Sequence, residues 1–327
     1  MFYSIRHSTK FRYSAPVSES TMEVRMQPRS DATQRCLSFQ LKIHPRARVH
    51  SYRDYLGNTV HHFDVPGNHR QLTLSAEALV DVQTNGSLPE SCGANAWAAL
   101  DAMIAGADFI EMLMPSQFAQ PSELLEKFAK EIDVPTAEKA RESDPLALLV
   151  RMNAALHSAI AYVPQSTHVD SPIDHALESR QGVCQDFAHI LITLVRGLGI
   201  PCRYVSGYLF HKAGDKARSA DGATHAWVEA LLPELGWFGF DPTNNVIAGQ
   251  RHIRTAVGRD YTDVPPTKGI FKGSADSQLL VAVSVAPSDS PPPFEPDLGG
   301  AEDWSSSVRQ DSPDLEAIAQ QQQQQQQ

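Results

Sequence analysis

Alternation between apolar and polar residues dominates the first quarter of the chain. Leu37, Phe39, Leu41 and Ile43 alternate with polar neighbours, and residues 72–82 repeat the pattern after a turn-like segment at 56–59. A period of two residues is typical of strands with one buried face. Residues 1–85 are therefore predicted to form a small β-sandwich-like domain.

The pattern changes to a helical one after this region. Ser122 precedes the helix-forming run Glu-Leu-Leu-Glu-Lys-Phe, and Asp144-Pro145 has the residues expected just before and at the first position of a helix. We assign residues 86–143 to a helical connecting segment and residues 144–286 to a second domain. The helices should pack around the one described next.

A buried helix is predicted to begin at Cys184. Gly182 supplies a turn, Gly199 and Pro201 mark the end, and the apolar positions between them have helical spacing. These positions are Phe187, Ile190, Leu191, Leu194 and Leu198. The free amides at a helix N-terminus favour a thiolate over a thiol. The Cys184 backbone N–H could also hold the oxyanion of a tetrahedral intermediate.

A hairpin supplies a histidine and a carboxylate. Residues 224–232 alternate as a strand does, residues 233–236 form a turn, and residues 237–240 return. If Ala230 pairs with Gly236, His225 lies directly opposite Asp241, at the distance of cross-strand neighbours. The hairpin would then carry both a proton acceptor for the cysteine and the group that orients it.

Each of these residues also has an ordinary structural explanation. A cysteine in an apolar helix is usually a small buried hydrophobe, a strand histidine is usually packed, and an aspartate before proline usually ends a strand. Their coincidence in one geometry favours a thiol nucleophile. A zinc site formed by Cys184, His189, Cys202 and His225 is disfavoured, because Cys184 and His189 lie on different helix faces and the chain has no Cys-x-x-Cys pair. No metal or cofactor is predicted.

Five segments carry a family resemblance. They are GVCQDFAHI (182–190), LGIPCRYVSGYL (198–209), THAWVEA (224–230), GWFGFDPTNN (236–245) and GRDYTDVPPTKG (258–269). In order and spacing they resemble the bacterial branch of the transglutaminase-like superfamily, a group of papain-like thiol enzymes, and residues 1–85 resemble the N-terminal domain usual in that branch. The resemblance implies an α+β fold, with the cysteine helix on an antiparallel sheet and a triad of Cys184, His225 and Asp241.

Two further groups of residues have open roles. Arg259, Asp260 and Tyr261 could line the substrate cleft, or the segment could hold a structural Arg259–Asp263 ion pair. Tyr162 and Gln165 precede the cysteine helix, where related thiol enzymes place an oxyanion-hole side chain.

The composition and charge of the chain limit the classes of molecule that it is expected to bind. Among 327 residues, 42% are hydrophobic and 20% charged, and the formal net charge is −10 without a long basic cluster. This disfavours nucleic acid and anionic membrane surfaces. The start of the chain lacks a signal-peptide pattern, no apolar run could span a bilayer, and the cysteines are scattered, so we expect a cytoplasmic protein. Residues 287–327 are rich in Pro, acidic residues and Gln, and are predicted to be a disordered tail.

The residues predict covalent thiol catalysis on an amide or ester carbonyl, through a thioester acyl-enzyme. The resemblance implies that the reaction is cleavage or transfer at peptide or isopeptide amide bonds. A peptidase-like hydrolase is slightly favoured over a protein-glutamine transglutaminase, and a non-catalytic peptide-binding module is the alternative from another class. The expected partner is a peptide or protein substrate. The sequence leaves the oligomeric state undetermined.

Overall fold

The computed structural model describes residues 1–83, 89–212, 217–219 and 222–288. Within these ranges the chain has the predicted α+β fold. The strands are β1 (Phe2–Val24), β2 (Gln34–His44), β3 (His50–Arg53), β4 (Thr59–Val82), β5 (Ala161–Tyr162), β6 (Gln181–Gly182), β7 (Cys202–Leu209), β8 (His225–Leu232), β9 (Gly236–Asp241), β10 (Val246–Ile247), β11 (His252–Gly258), β12 (Thr267–Lys272) and β13 (Ser277–Ser288). The helices are α1 (Ala96–Ile104), α2 (Glu123–Glu131), α3 (Ala137–Ala140), α4 (Pro145–Ala159), α5 (Ile173–Ser179) and α6 (Cys184–Gly197), with short 3₁₀ helices at Ile110–Met112 and Tyr261–Asp263.

Two long antiparallel strands form the centre of the N-terminal sheet. β1 pairs with β4 along most of its length, β2 and β3 extend the sheet beyond β4, and the pairing of β1 is irregular between Arg12 and Glu19. Side chains from both halves of β1, including Tyr3, Ile5, Met22 and Val24, pack in one apolar core. The predicted apolar positions in 72–82 are buried, whereas those in β2 are only partly buried and Leu37 is exposed, at an irregularity in the pairing of β2 with β4.

The same sheet is completed by the end of the described chain. β12 pairs with β1 from Glu19 to Val24, and β13 pairs with β1 from Phe2 to Tyr13. The range 144–286 that we assigned to the second domain therefore includes two strands of the N-terminal sheet. Strand periodicity in the sequence shows that a strand forms but carries no information about its partner.

The second sheet is antiparallel, in the order β10-β9-β8-β7-β11, and α6 packs on it. Every residue of β8 is buried, because α6 covers one face and side chains such as Trp227 pack on the other. Helices α1, α2, α4 and α5 contribute to the same core as α6. The connecting helices thus pack around the cysteine helix, as expected.

The register of the β8–β9 hairpin differs from the prediction. Leu232 pairs with Gly236 and Ala230 with Phe238, so the turn is tighter than the five-residue loop expected. Glu234 and Gly236 both have positive φ, which allows the tight turn. Pairing shifts by two residues and Asp241 falls opposite Trp227, diagonal to His225. A shift of two keeps both side chains on the same face of the sheet.

Helix starts follow the sequence signals. The Ser122 side chain accepts from Leu125 N–H at the start of α2, and Asp144 does the same for Leu146 and Ala147 at the start of α4. The last strand, β13, ends at Ser288, so the first two residues of the predicted tail belong to it. Residues 289–327, which make up nearly all of the predicted tail, lie outside the described residues. No helix in the described ranges is long and apolar enough to cross a bilayer.

Candidate active site

Cys184 is the first residue of α6, as predicted, and is buried. The preceding residue, Val183, donates its backbone N–H to Asp186 Oδ2 at 2.8 Å, which fixes the start of the helix. The opposite end of α6 is tied down by buried Arg196, whose guanidinium donates to the carbonyls of Cys202 and Arg259. The nucleophile candidate therefore lies on a helix held at both ends.

The structure brings His225 and Asp241 together. His225 Nε2 lies 2.8 Å from Asp241 Oδ2, and neither side chain is exposed by more than 3%. β8 begins at His225 and β9 ends at Asp241, so both groups lie at the same edge of the sheet. The contact runs diagonally across the hairpin rather than directly across it.

Charge and hydrogen bonding control the protonation of this pair. Burial lowers the pKa of His225, but the Asp241 charge and hydrogen bonds with Asp241 and Cys184 raise it to about 10. Burial raises the pKa of Asp241, yet the charge of His225 and hydrogen bonds from His225 and His252 hold it well below its usual range. The pair is thus an imidazolium beside a carboxylate.

Cys184 interacts with the His225 ring. It contributes both a hydrogen bond and a charge interaction to the pKa of His225. Since Nε2 is taken by Asp241, Nδ1 is the nitrogen left for the thiol, and it has no hydrogen-bond partner among the described residues. Catalytic hydrogen bonds that are long or poorly aligned are common in unliganded sites of this kind.

Two residues that the sequence analysis did not identify, Asn244 and His252, also contact the Asp241 carboxylate. Asn244 Nδ2 donates to Asp241 Oδ2 at 2.8 Å, and its backbone N–H donates to Oδ1 at 3.2 Å. His252 Nε2 lies 3.1 Å from Oδ2. The available sequence signals were an amide shortly after Asp-Pro-Thr and a polar residue opening the apolar strand β11. Neither signal is specific without knowing which strands pair.

Asp186 was also missed. Its Oδ2 accepts from Val183 N–H and from the Thr167 hydroxyl, and the neighbouring Gln185 donates to Val169 O at 2.8 Å. These bonds fasten the segment around residues 167–169 onto the first turn of α6. Burial raises the pKa of Asp186 to about 6, although the hydrogen bonds from Thr167 and Val183 lower it.

The 259–261 segment makes contacts that hold neighbouring segments together. Arg259 forms a two-pronged ion pair with Asp263, at 2.9 and 3.0 Å, which is the structural alternative considered above. Asp260 accepts from the backbone of Phe118 and Thr262. Tyr261 is buried, and the charge of Cys184 adds to burial in raising its pKa, so it lies within electrostatic range of the sulfur.

Tyr162 lies close to the nucleophile along the backbone. β5 pairs in parallel with β6, which places Tyr162 beside Gly182, two residues before Cys184. Gln165 follows with a positive φ of 64°. The structure thus puts this segment next to the start of α6 and leaves its role in catalysis a prediction.

The zinc alternative does not converge in space. Cys202 pairs with Ala230 and His225 with Gly207, at opposite ends of the β7–β8 ladder. His189 is stacked on Phe118 and accepts from the Tyr261 N–H. A different group, His225, Asp241 and His252, has ligand atoms within 4.8 Å of one another. Hydrogen bonds among these three atoms account for their proximity.

A buried imidazole placed between a helix-terminal thiol and a carboxylate can take a proton from the thiol and return it to a leaving group. Two family models match the chain. Residues 3–81 match the model of the bacterial transglutaminase-like N-terminal region, and residues 132–242 match that of the transglutaminase-like superfamily.

Relatives and solved structures extend the match to most of the chain. An uncharacterized protein of Mycobacterium leprae is 35% identical over 280 residues, covering 85% of this chain and 96% of its own length. A protein-glutamine gamma-glutamyltransferase of Pseudomonas aeruginosa is 37% identical over 105 residues, which are 31% of this chain and 15% of that protein. The crystal structure of a "Putative Cysteine Protease" from Cytophaga hutchinsonii superposes with a TM-score of 0.66 at 22% identity, covering 89% of this chain and 93% of that one. The chain therefore belongs to the transglutaminase-like superfamily and carries the N-terminal region found in its bacterial members.

Proposed function

We propose that the protein is a cysteine-dependent enzyme that cleaves peptide or isopeptide amide bonds. Cys184 is the nucleophile, His225 the proton carrier and Asp241 the residue that orients it. The observation that carries the proposal is the buried His225, bonded to Asp241 at 2.8 Å through Nε2 and interacting with Cys184. Packing alone does not explain a buried, charged imidazole between a thiol and a carboxylate, and such perturbed groups are concentrated at functional sites.

The reaction follows from the placement of the proton. With the thiol proton already held on His225 Nδ1, the sulfur of Cys184 attacks the substrate carbonyl carbon to give a tetrahedral oxyanion. The C–N bond then breaks, and the departing amine takes the proton from His225, leaving a thioester. In the second half, water attacks the thioester, His225 takes its proton, and the carboxylic acid leaves, which restores the starting site with the proton on His225.

The oxyanion has a donor at the start of α6. The first N–H groups of a helix lack intrahelical acceptors, so the Cys184 backbone N–H is available to the developing negative charge. The positive end of the α6 dipole acts on that charge in the same direction.

Transfer to an amine is the second candidate function. The segment shared with the Pseudomonas aeruginosa protein-glutamine gamma-glutamyltransferase favours it. The chemistry is identical up to the thioester, after which a primary amine replaces water and the product is a new amide. One active site can therefore be tested for both outcomes.

The nucleophile is tested by acylation with p-nitrophenyl acetate, read by the mass of the intact protein and its peptides. We expect one acetyl group on Cys184, and none on that peptide in Cys184→Ala. Cys202→Ala is the matched control, since Cys202 is also buried but lies away from His225. Undiminished acylation of the Cys184→Ala protein would reject the proposal and favour a binding module.

The fate of the thioester is tested with a peptide library and a free primary amine. Hydrolysis of backbone amides shortens peptides, deamidation of glutamine adds about 1 Da, and transfer adds the amine less ammonia. Shortened peptides that depend on Cys184 support the hydrolase. Amine incorporation without cleavage would assign the protein to the transglutaminase alternative.

A further inference from the structure

We propose that His252 is a positioning residue for the active site: as a neutral imidazole protonated on Nε2, it holds the Asp241 carboxylate in line with His225. The inference rests on the proposed function, in which Asp241 orients His225. It adds a second histidine, on a third strand, to the groups that determine reactivity at Cys184.

His252 reaches Asp241 from β11. It is the first residue of that strand and is buried, and its Nε2 lies 3.1 Å from Asp241 Oδ2. The ring stands edge-on to Trp227 with centroids 5.1 Å apart, and is 6.2 Å from the His225 ring. The carboxylate is thus approached by histidines from both β8 and β11.

Hydrogen bonding fixes the tautomer of His252. The Gly249 backbone N–H lies 3.2 Å from His252 Nδ1, and since an amide N–H can only donate, Nδ1 must accept. The proton of the neutral ring is therefore on Nε2, and it points at Asp241. His252 is a donor to the carboxylate and cannot take a proton from it.

The surrounding charges keep His252 neutral. Burial lowers its pKa, the bond and charge of Asp241 oppose this, and the charges of His225 and Arg251 lower it further. The net shift is downward. A single negative carboxylate is thus matched by one imidazolium, His225, while His252 contributes an N–H dipole without a second positive charge.

The position of Asp241 depends on these donors. His225, His252 and Asn244 all point at Oδ2, from different elements. Without the His252 donor, Oδ2 keeps two of its three donors, and the carboxylate is held less firmly in line with the His225 Nε2–H. The imidazolium is then less stabilised, the proton returns to the thiol, and less thiolate is present near neutral pH.

The test compares His252→Leu, which removes the donor, with His252→Gln, whose amide can restore it. His7→Leu is the matched control, because it removes another buried imidazole, one bonded to Tyr208 and Thr9 in the N-terminal sheet. The measurement is the rate of Cys184 alkylation by iodoacetamide from pH 6 to 10, read by peptide mass.

We expect His252→Leu to slow alkylation about 10- to 100-fold near pH 7, the size of a lost hydrogen bond to a charged group. The loss should shrink towards pH 10, where any accessible thiol ionises. His252→Gln should recover most of the rate and His7→Leu should match wild type. A loss in His252→Leu that is equal at every pH would indicate altered access to the sulfur and overturn the inference.

A double-mutant cycle separates positioning from packing. If His252 acts through Asp241, adding His252→Leu to Asp241→Asn should cause no further loss of acylation. Additive losses would overturn the inference while leaving the proposed function intact. Retained acylation of Cys184→Ala would instead overturn the proposed function.

The wild-type protein provides a readout that needs no variant. In ¹⁵N spectra of its histidine rings, His252 should carry a proton on Nε2 alone between pH 6 and 9. A protonated Nδ1 would contradict the assignment even if the His252 variants failed to fold.

Discussion

At the scale of single residues, one oxygen atom is the centre of the candidate site. Asp241 Oδ2 accepts from His225, His252 and Asn244, and no part of the Asp241 side chain is exposed. A buried carboxylate needs such partners, since an unpaired charge in the interior is costly. The same bonds that make its burial tolerable also fix the direction in which it faces His225.

Asp241→Asn should lower acylation of Cys184 by about 10²- to 10⁴-fold, because the amide neither stabilises the imidazolium nor selects the correct tautomer. The measurement is the acylation rate with an activated ester. Asp263→Asn, which breaks the Arg259 ion pair outside the site, is the control and should keep the wild-type rate. An unchanged rate in Asp241→Asn would remove Asp241 from the triad.

Asp186 should make stability depend on pH. Its folded pKa of about 6 lies above the unfolded value, so its stabilising contribution is complete below about pH 3.9 and is lost as the pH rises through 6. The loss is roughly 3 kcal/mol for a shift of this size. Asp186→Asn keeps an acceptor for Val183 N–H and does not titrate.

Urea unfolding of both proteins between pH 4 and 7 measures this effect. The free energy of unfolding of wild type should fall relative to that of Asp186→Asn as the pH rises. If the free energies of unfolding of the two proteins changed with pH in parallel, the pKa of Asp186 would not be raised on folding.

At this scale the sequence identified residues whose chemistry is recognisable from their neighbours along the chain. Cys184 opens a helix, and His225 and Asp241 lie on one hairpin. His252, Asn244 and Asp186 were missed because their roles arise from contacts between elements. Asp186, for example, is also an ordinary helix N-terminal acid, and only Thr167 and its burial distinguish it.

At the scale of elements, the β8–β9 hairpin shows that the alternation of residues along a strand determines which face a side chain lies on but not the register of pairing. Alternation placed His225 and Asp241 on the same face, which the structure shows, but the register was wrong by two residues. Register depends on turn geometry, and the positive φ values at Glu234 and Gly236 allow a shorter turn than expected. The predicted contact between His225 and Asp241 still forms, because a two-residue shift in register leaves both side chains on the same face of the sheet.

The β7–β11 ladder should be sensitive to one methyl group. A Cβ at Gly207 would lie 2.1 Å from Ile253 O and 2.7 Å from the Trp227 ring, so Gly207→Ala should destabilise the protein by at least about 2 kcal/mol. Gly197→Ala on α6 meets nothing within 4 Å and should stabilise by up to about 1 kcal/mol. Thermal unfolding measures both, and equal melting temperatures would contradict the close approach.

At the scale of the whole molecule, the N-terminal sheet contains both ends of the described chain. Phe2 pairs with Ser288 at one end of the β1–β13 ladder, and Tyr13 pairs with Ser277 at the other. The sequence predicted strands within residues 1–85 and assigned residues 144–286, which contain β12 and nearly all of β13, to a different domain. Which strands pair is decided by packing across the whole molecule, which local periodicity does not report.

Ending the chain after residue 276 should therefore unfold or severely destabilise the sheet. β13 contributes Leu279, Val281 and Val283 to the core, and burying such a side chain stabilises by about 1.5–3 kcal/mol. Ending it after residue 288 keeps every described strand and should leave the melting temperature within a few degrees of wild type. Circular dichroism on heating compares the two, and similar melting would show that β13 is dispensable.

The pairing of β1 with β13 also sets the order of events during synthesis. β1 is synthesised long before β13. The edge of β1 that pairs with β13 therefore stays unpaired until almost the whole described chain has been made. Contacts between such distant segments form late in folding. The N-terminal sheet of a nascent chain can therefore be completed only after β13 has been synthesised.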